Sequence, residues 1–309
     1  MFDAEFITSI IRLSTPLILA SFGGLFCEKG GIANIALEGK MLIGAFTGAA
    51  ITYYTSNPWI GLIGACISGL IIAGIHGIIC IHFKGDQIIS GAAINIFAFG
   101  LPQIFCLALF NTPSSSPIIN ENVPVINIGL LKNIPFIGYI VSQVSVLIWI
   151  CFLVVIVTCL IFRYTRFGLR LEAAGENPAA LDNSGISVTK YRYSGVLICG
   201  VLAALAGAYL SIDHGSQFIR NMTAGRGFIA LAALILGNWK PGRVLIGCLF
   251  FGFMEAIQIR LQGNEIIPVE FIQIIPYLTT IIVLIGFFGK ASPPKGLAIP
   301  YSMSKKGGQ

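Results

Sequence analysis

The sequence predicts an all-α polytopic membrane protein, with about nine transmembrane or partly re-entrant helices in one bundle. Three observations carry that. Of the 309 residues, 56% are hydrophobic and only 10% charged, against roughly 25% charged in a soluble domain. Apolar runs of about 20 residues recur along the whole chain, each able to cross a ~30 Å hydrocarbon layer. Lys and Arg gather in alternate connections, as basic loops on one side of a membrane do. A transmembrane β-barrel would need short alternating segments instead.

The expected spans fall at residues 6–26, 39–56, 58–82, 86–110, 139–162, 191–212, 218–238, 242–262 and 271–289. The first is expected to be retained, because Asp3 and Glu5 stand where a cleavable signal peptide carries basic residues. Between the first two spans lies the polar run CEKGGIANIALEGKML, Cys27 to Leu42. Its glycines permit irregular backbone, which is tolerated at membrane depth only when buried or lining a cavity. Asn34 and Glu38 stand one turn apart and share a face if that piece is helical. Span 218–238 is the weakest, since only Gly225 to Asn238 is apolar, about 14 residues. The alternative is a re-entrant piece paired with a short outer helix; the span is kept as a crossing because the basic C-terminal tail would otherwise fall outside. Small residues four apart, Gly44/Gly48, Ala45/Ala49, Ala203/Gly207 and Ala204/Ala208, let helix backbones approach closely. Packing within one bundle is the expected use, ahead of a dedicated dimer face.

Placing the C-terminus inside assigns Lys29, Lys40, Lys84, Arg163, Arg166, Arg170, Lys190, Arg192, Lys240, Arg243, Lys290, Lys295, Lys305 and Lys306 to the cytoplasmic side, 14 of 19 basic residues. The acidic N-terminus is then outside. Residues 111–138, with NTPSSSP, form the long outer loop; 163–190 form the long inner loop; 290–309 form a cytoplasmic tail. The whole chain, 1–309, is one membrane domain.

Several chemistries are excluded. Gly39-Lys40 and Gly289-Lys290 lack the rest of a phosphate loop, so the chain has no ATP site of that type. Gly225 to Ala230 fits GxGxxA but follows no strand, so it is no dinucleotide site. The triplet Asn221-Met222-Thr223 matches a glycosylation acceptor by chance. No HExxH occurs, and no Ser/His/Asp set at a plausible depth. The eight cysteines show no CxxC and are expected to be buried small hydrophobes, not disulfides. His76, His82 and His214 are too dispersed for a metal site, and the net charge of +6 follows topology, not nucleic acid.

The inner loop contains LRLEAAGENPAALDNSGISV. Asn177 suits a helix cap, Pro178 the first turn, Ala179, Ala180 and Leu181 the body, and Gly185 the end. A short cytoplasmic helix with Leu181 and flanking charges suits a groove on a partner. Polar residues inside spans are costly and so mark function or helix–helix bonding. Ser90, Asn95 and Gln103 interrupt one span. Glu255, Gln258 and Gln262 share one face of another.

Together these stretches resemble the membrane permeases of ABC importers, in the branch holding ribose, branched-chain amino acid and nucleoside permeases. The nearest group is the nucleoside permeases. Their pattern GELxxERxGxxNxGxEGxMLxGA here reads GGLFCEKGGIANIALEGKMLIGA. Glu28, Gly31, Asn34, Glu38, Gly39, Met41, Leu42, Gly44 and Ala45 agree; Gly24, Lys29 and Ala36 depart. DQIISGAAIN with Asp86 and Gly91, then GENPAA, then MTAGRGFIALAALILGNWKPGR with Gly225, Arg226 and Gly227, then IPYLTTIIVLIGFFG follow in order.

The resemblance implies a type II-like importer permease that moves nothing alone. It implies a second homologous permease subunit, an ATPase subunit that holds ATP and Mg, and an outer substrate-binding lipoprotein, all at a bacterial inner membrane. No cofactor is expected on this chain. Arg170, Glu172, Glu176, Asn177, Pro178 and Ala179 would form the ATPase-coupling helix. Glu172 stands where the family has Arg, a reversal expected to be matched on the partner. A sparse conduit wall of Asn34, Glu38, Asn95, Phe99, Gln103, Glu255 and Gln258 is expected. The implied cargo is a nucleoside, with a purine nucleoside foremost. Rivals are a simple sugar on the same machine, an ion-coupled secondary transporter, and an intramembrane enzyme.

Overall fold

The computed structural model describes residues 3–125, 144–262 and 292–301, together with 274, 278–282 and 285. Its described helices are α1 (Ala4–Lys29), α2 (Leu37–Thr55), α3 (Pro58–Gly77), α4 (Gln87–Phe110), α5 (Val146–Tyr164), α6 (Arg166–Glu176), α7 (Pro178–Asn183), α8 (Val188–Ala208), α9 (Arg226–Leu236) and α10 (Pro241–Leu261). α3 and α8 each continue as a π-helical turn, Ile78–His82 and Tyr209–His214. No strand occurs among the described residues, only two isolated bridges.

Local chemistry sets the helix starts. Asn57 accepts from Trp59 N with Pro58 in the first turn. Asp86 accepts from the amides of Ile88 and Ile89 at 2.8 and 2.9 Å, opening α4.

Among the described residues six helices are long and apolar enough to cross a membrane: α1, α3 and α8 with their π-turns, α4, α5 and α10. α1, α2 and α8 form the centre. α1 packs on α8, α9 and α10, while α2 packs on α3, α4 and α8. α3, α4 and α5 turn isoleucine-rich faces outward, including Ile63, Ile71, Ile89, Ile96 and Ile156, the surface a lipid tail would meet.

The expected crossing over 218–238 is shortened. Only Arg226–Leu236 is helical there, 11 residues, or about 16 Å at 1.5 Å per residue. That is roughly half a hydrocarbon layer. The residues before it run as irregular chain beside 111–125. Ser116 N donates to Phe218 O (2.9 Å), Ile119 N to Ser216 O (2.7 Å) and Arg220 N to Ser114 O (2.7 Å). The expected span 271–289 falls largely outside the described residues, as do 126–143 and the tail beyond Tyr301.

The small-residue spacing works inside the bundle. A Cβ on Gly207 of α8 would overlap the Met41 carbonyl of α2, and one on Gly44 would overlap the Ala204 carbonyl. Backbone therefore meets backbone along this seam.

Candidate functional site

After α1 the chain turns at Gly30–Gly31, where Gly31 has φ +87, a conformation that glycine adopts without a Cβ penalty. It then folds back into the bundle instead of staying at its surface. Ile32, Asn34 and Ala36 are fully buried although 30–36 is not helical. Buried irregular backbone needs partners, and side chains from several helices supply them. Ala33 N donates to Gln87 Oε1 (2.7 Å), and Asn34 N reaches Glu28 Oε1 (3.5 Å). Asn95 donates to Ile35 O (3.0 Å) and accepts from Gly39 N (2.8 Å). His76 Nε2 faces the Ala33 carbonyl at 3.3 Å.

Glu38 serves the second break. Gly225, φ +81, precedes α9. Glu38 Oε1 accepts from Thr223 Oγ1 (2.6 Å) and Gly225 N (2.8 Å), and Oε2 from Gly227 N (2.7 Å). A carboxylate from α2 thus caps the start of α9, where the helix dipole favours negative charge. The two irregular segments are joined through this one side chain.

Beside it lies a knot of buried polar groups. Lys40, fully buried, donates to Asn34 Oδ1 (2.8 Å), and Asn34 Nδ2 to Cys199 Sγ (2.6 Å). Glu28 Oε2 accepts from the Trp239 indole N–H (2.7 Å). Two assignments change here. Lys40 is no loop charge but an interior one. Asn34 lies before α2, so it shares no helix with Glu38, and each has its own partners.

The expected conduit wall is divided among three places. Asn34, Glu38 and Asn95 are buried in the junction. Phe99 and Gln103 stand on the open side of α4, where Gln103 Nε2 donates to Phe99 O. Glu255 pairs with Arg226 at the start of α9, and Gln258 follows one turn on, half-buried. The motif residues serve the same junction. Gly91 lies against Ile35 and Ala36, and Asp86 opens the helix that carries Gln87 and Asn95.

At the opposite end of α1 from its N-terminus sits the elbow of α6 and α7. Asn177 Oδ1 accepts from Ala180 N (3.1 Å), Pro178 opens α7, and Gly185 has φ +76 just beyond its end, in keeping with the sequence reading. Glu176, Asn177 and Ala179 are exposed. Arg170 donates to Tyr191 OH (3.1 Å). Leu181, expected to face a partner, instead packs inward with Ala174 and Val188. The reversed charge at Glu172 is answered within this chain, by Lys29. Lys29, Glu172, Glu176, Trp239 and Lys240 line a cavity of about 410 Å3. A second, of about 570 Å3, lies at the N-terminal end beside Arg12, His214, Ala256 and Ile259.

Sequence reasoning missed Gln87, Thr223, Trp239 and Arg192, and the segment 292–301. The first three sit inside recognised motifs, so the motif signal pointed to them without their roles. Tyr301 OH donates to Asp182 (3.0 Å); partial desolvation and that bond push its phenol pKa up. The eight cysteines are free thiols. Among the described residues no group of three His, Cys, Asp or Glu side chains is placed to hold a metal.

A family model described as branched-chain amino acid transport system / permease component matches residues 6–284. The chain is 38% identical to the nucleoside ABC transporter permease protein NupC of Lactococcus lactis, covering 97% of each. It is 36% identical to the guanosine ABC transporter permease protein NupQ of Bacillus subtilis, covering 95% of each. It is 31% identical to the putative glucose ABC transporter permease protein TsgC13 of Haloferax volcanii, covering 92% of this chain and 91% of that one. No solved structure matches.

Proposed function

The chain belongs to the branched-chain amino acid transport system / permease component family, and from that membership we propose that it is the membrane-spanning subunit of an ATP-driven nucleoside importer. It is a multi-pass transport subunit, not an enzyme. The observation that carries the cargo is the end-to-end match to a nucleoside permease and a guanosine permease. Purine nucleosides are the first substrates to try.

In this reading a separate ATPase subunit binds ATP and Mg and hydrolyses the ATP. A homologous permease forms the other half of the pore, and an extracytoplasmic binding lipoprotein delivers solute. The exposed rim of Glu176, Asn177 and Ala179, with Arg170, Glu172 and Pro178 behind it, rests on the ATPase as its coupling helix. That places the C-terminus in the cytoplasm and the N-terminus outside, in a bacterial cell membrane. The permease needs only differential contacts in its two states. Asn34, Glu38 and Asn95 hold the broken backbone between those states. Phe99, Gln103, Glu255 and Gln258 are left to meet the solute, by ring stacking and by hydrogen bonds to hydroxyls.

The test is uptake in proteoliposomes carrying the complete importer with its binding protein. Labelled guanosine should accumulate only with ATP inside. Guanosine uptake that follows an ion gradient without ATP would overturn the reading. A second reading, import of a simple sugar, is favoured by the glucose permease relative. Glucose uptake with guanosine inert would select it.

A further inference from the structure

The segment 292–301 forms turns but no helix, yet it is fastened at five points. Ser292 N donates to Asn238 Oδ1 (2.8 Å), in the turn between α9 and α10. Lys295 N donates to Glu176 Oε2 (3.4 Å), and Gly296 N to Gly175 O (2.7 Å), at the end of α6. Arg192 of α8 donates to Ile299 O (3.1 Å), and Tyr301 OH donates to Asp182 Oδ2 on α7 (3.0 Å). Pro294 and Gly296 are buried. The segment is a strap across the elbow.

α7 needs such a strap. It has six residues and one buried side chain, Leu181. A short helix with so little apolar anchorage would yield under load before passing it on. The strap ties it to Asn238, which adjoins Trp239. The Trp239 indole reaches Glu28 in the buried junction, and Glu28 reaches the Asn34 backbone. Both Asn238 and Trp239 hold left-handed backbone, φ 51 and 53, so this turn is itself held in a strained form.

We infer that the 292–301 strap is a positioning element of the coupling unit: it joins α7 to the α9–α10 turn, so that displacement of the elbow reaches Trp239 and the junction behind it. This rests on the elbow being the ATPase contact. Arg192 sharpens it. Its guanidinium is buried under the strap, yet Nε and Nη2 have no hydrogen-bond partner among the described residues. Unmet buried N–H groups favour release to water. The docked strap therefore has little stability in reserve, and loss of one fastening should be felt.

Two measurements on the full chain test this. In the reconstituted importer, guanosine moved per ATP hydrolysed should fall about tenfold when the chain is stopped before Ser292. It should fall about threefold in Tyr301→Phe. A lower amount of folded protein would not move that ratio. If the shortened chain fails to assemble, Tyr301→Phe decides alone. An unchanged ratio in Tyr301→Phe overturns the proposal. In the purified chain without partners, amide exchange across 178–186 should quicken about threefold in Tyr301→Phe, and unchanged exchange equally overturns it. That second readout is independent of cargo. Quickened exchange with no guanosine uptake by the parent importer would therefore fault the importer reading and leave the strap's hold on α7 standing.

Discussion

The α8-facing seam of α2 and the Glu38 junction lie within two turns of each other on one helix, and they are held by different means. At the seam nothing polar is exchanged between side chains; α2 and α8 meet because Gly44 and Gly207 have no side chain to keep them apart. At the junction, where Gly227 likewise leaves no room for a Cβ against the Glu38 backbone, polar contacts are added to the close packing. Glu38 spends both carboxylate oxygens on three donors, and Asn95 both ends of its amide on two backbone groups. The seam fails when atoms are added; the junction fails also when a hydrogen-bonding atom merely changes kind. A membrane interior allows both, because it offers irregular backbone no water to fall back on.

The largest effect should come from adding atoms at the seam. Gly207→Leu puts side chain where the Met41 carbonyl lies, and should cost about 3 kcal/mol or more. Thermal unfolding in detergent should show little folded protein. A parent-like midpoint would mean that the two backbones do not touch. Next is Glu38→Gln, nearly the same shape with one oxygen replaced by NH2. It sets donor against donor at the start of α9 and should cost roughly 2 kcal/mol. A melting temperature equal to the parent's would break the contrast from the junction's side.

Trp239→Phe replaces the indole by a smaller aromatic ring and removes the donor to Glu28. A loss of about 1–2 kcal/mol is expected, read in the same melts. A much smaller loss would show that Glu28 finds another donor. The smallest effect on stability belongs to Gln103→Leu on the open side of α4, within about 0.5 kcal/mol of the parent. Its expected signature is functional, a lowered uptake of guanosine at unchanged melting temperature. Full uptake would remove Gln103 from the solute path.

Sequence resolved what is local. Asn177, Pro178 and Gly185 carry α7 in their own chemistry, and structure and sequence agree there. Small residues four apart foretold the seam because helical spacing alone puts them on one face. The half-helix α9 was partly legible in composition. Its short apolar stretch, Gly225 to Asn238, was legible, but the irregular chain before it, held to 114–119 by backbone bonds, was not. Glu38 was visible as a motif member, but its donors stand 185 to 189 positions away. No periodicity links such distant residues. The strap has no periodicity either, and Arg192 and Lys40 looked like loop charges because net charge says nothing about depth.

That separation along the chain also orders biogenesis. When the ribosome has made α1 and α2, Glu38 has none of its three donors and Glu28 lacks Trp239. At roughly 5–20 residues per second, the start of α9 follows about 10–40 s later. Through that interval the segment from Gly30 to Lys40 cannot settle in lipid as it does in the finished bundle. It has to wait in water or in the insertion machinery. The two carboxylates thus make the early third of the protein dependent on the late third, and a nascent chain cut short before Thr223 should be recognised as unfinished by membrane proteases.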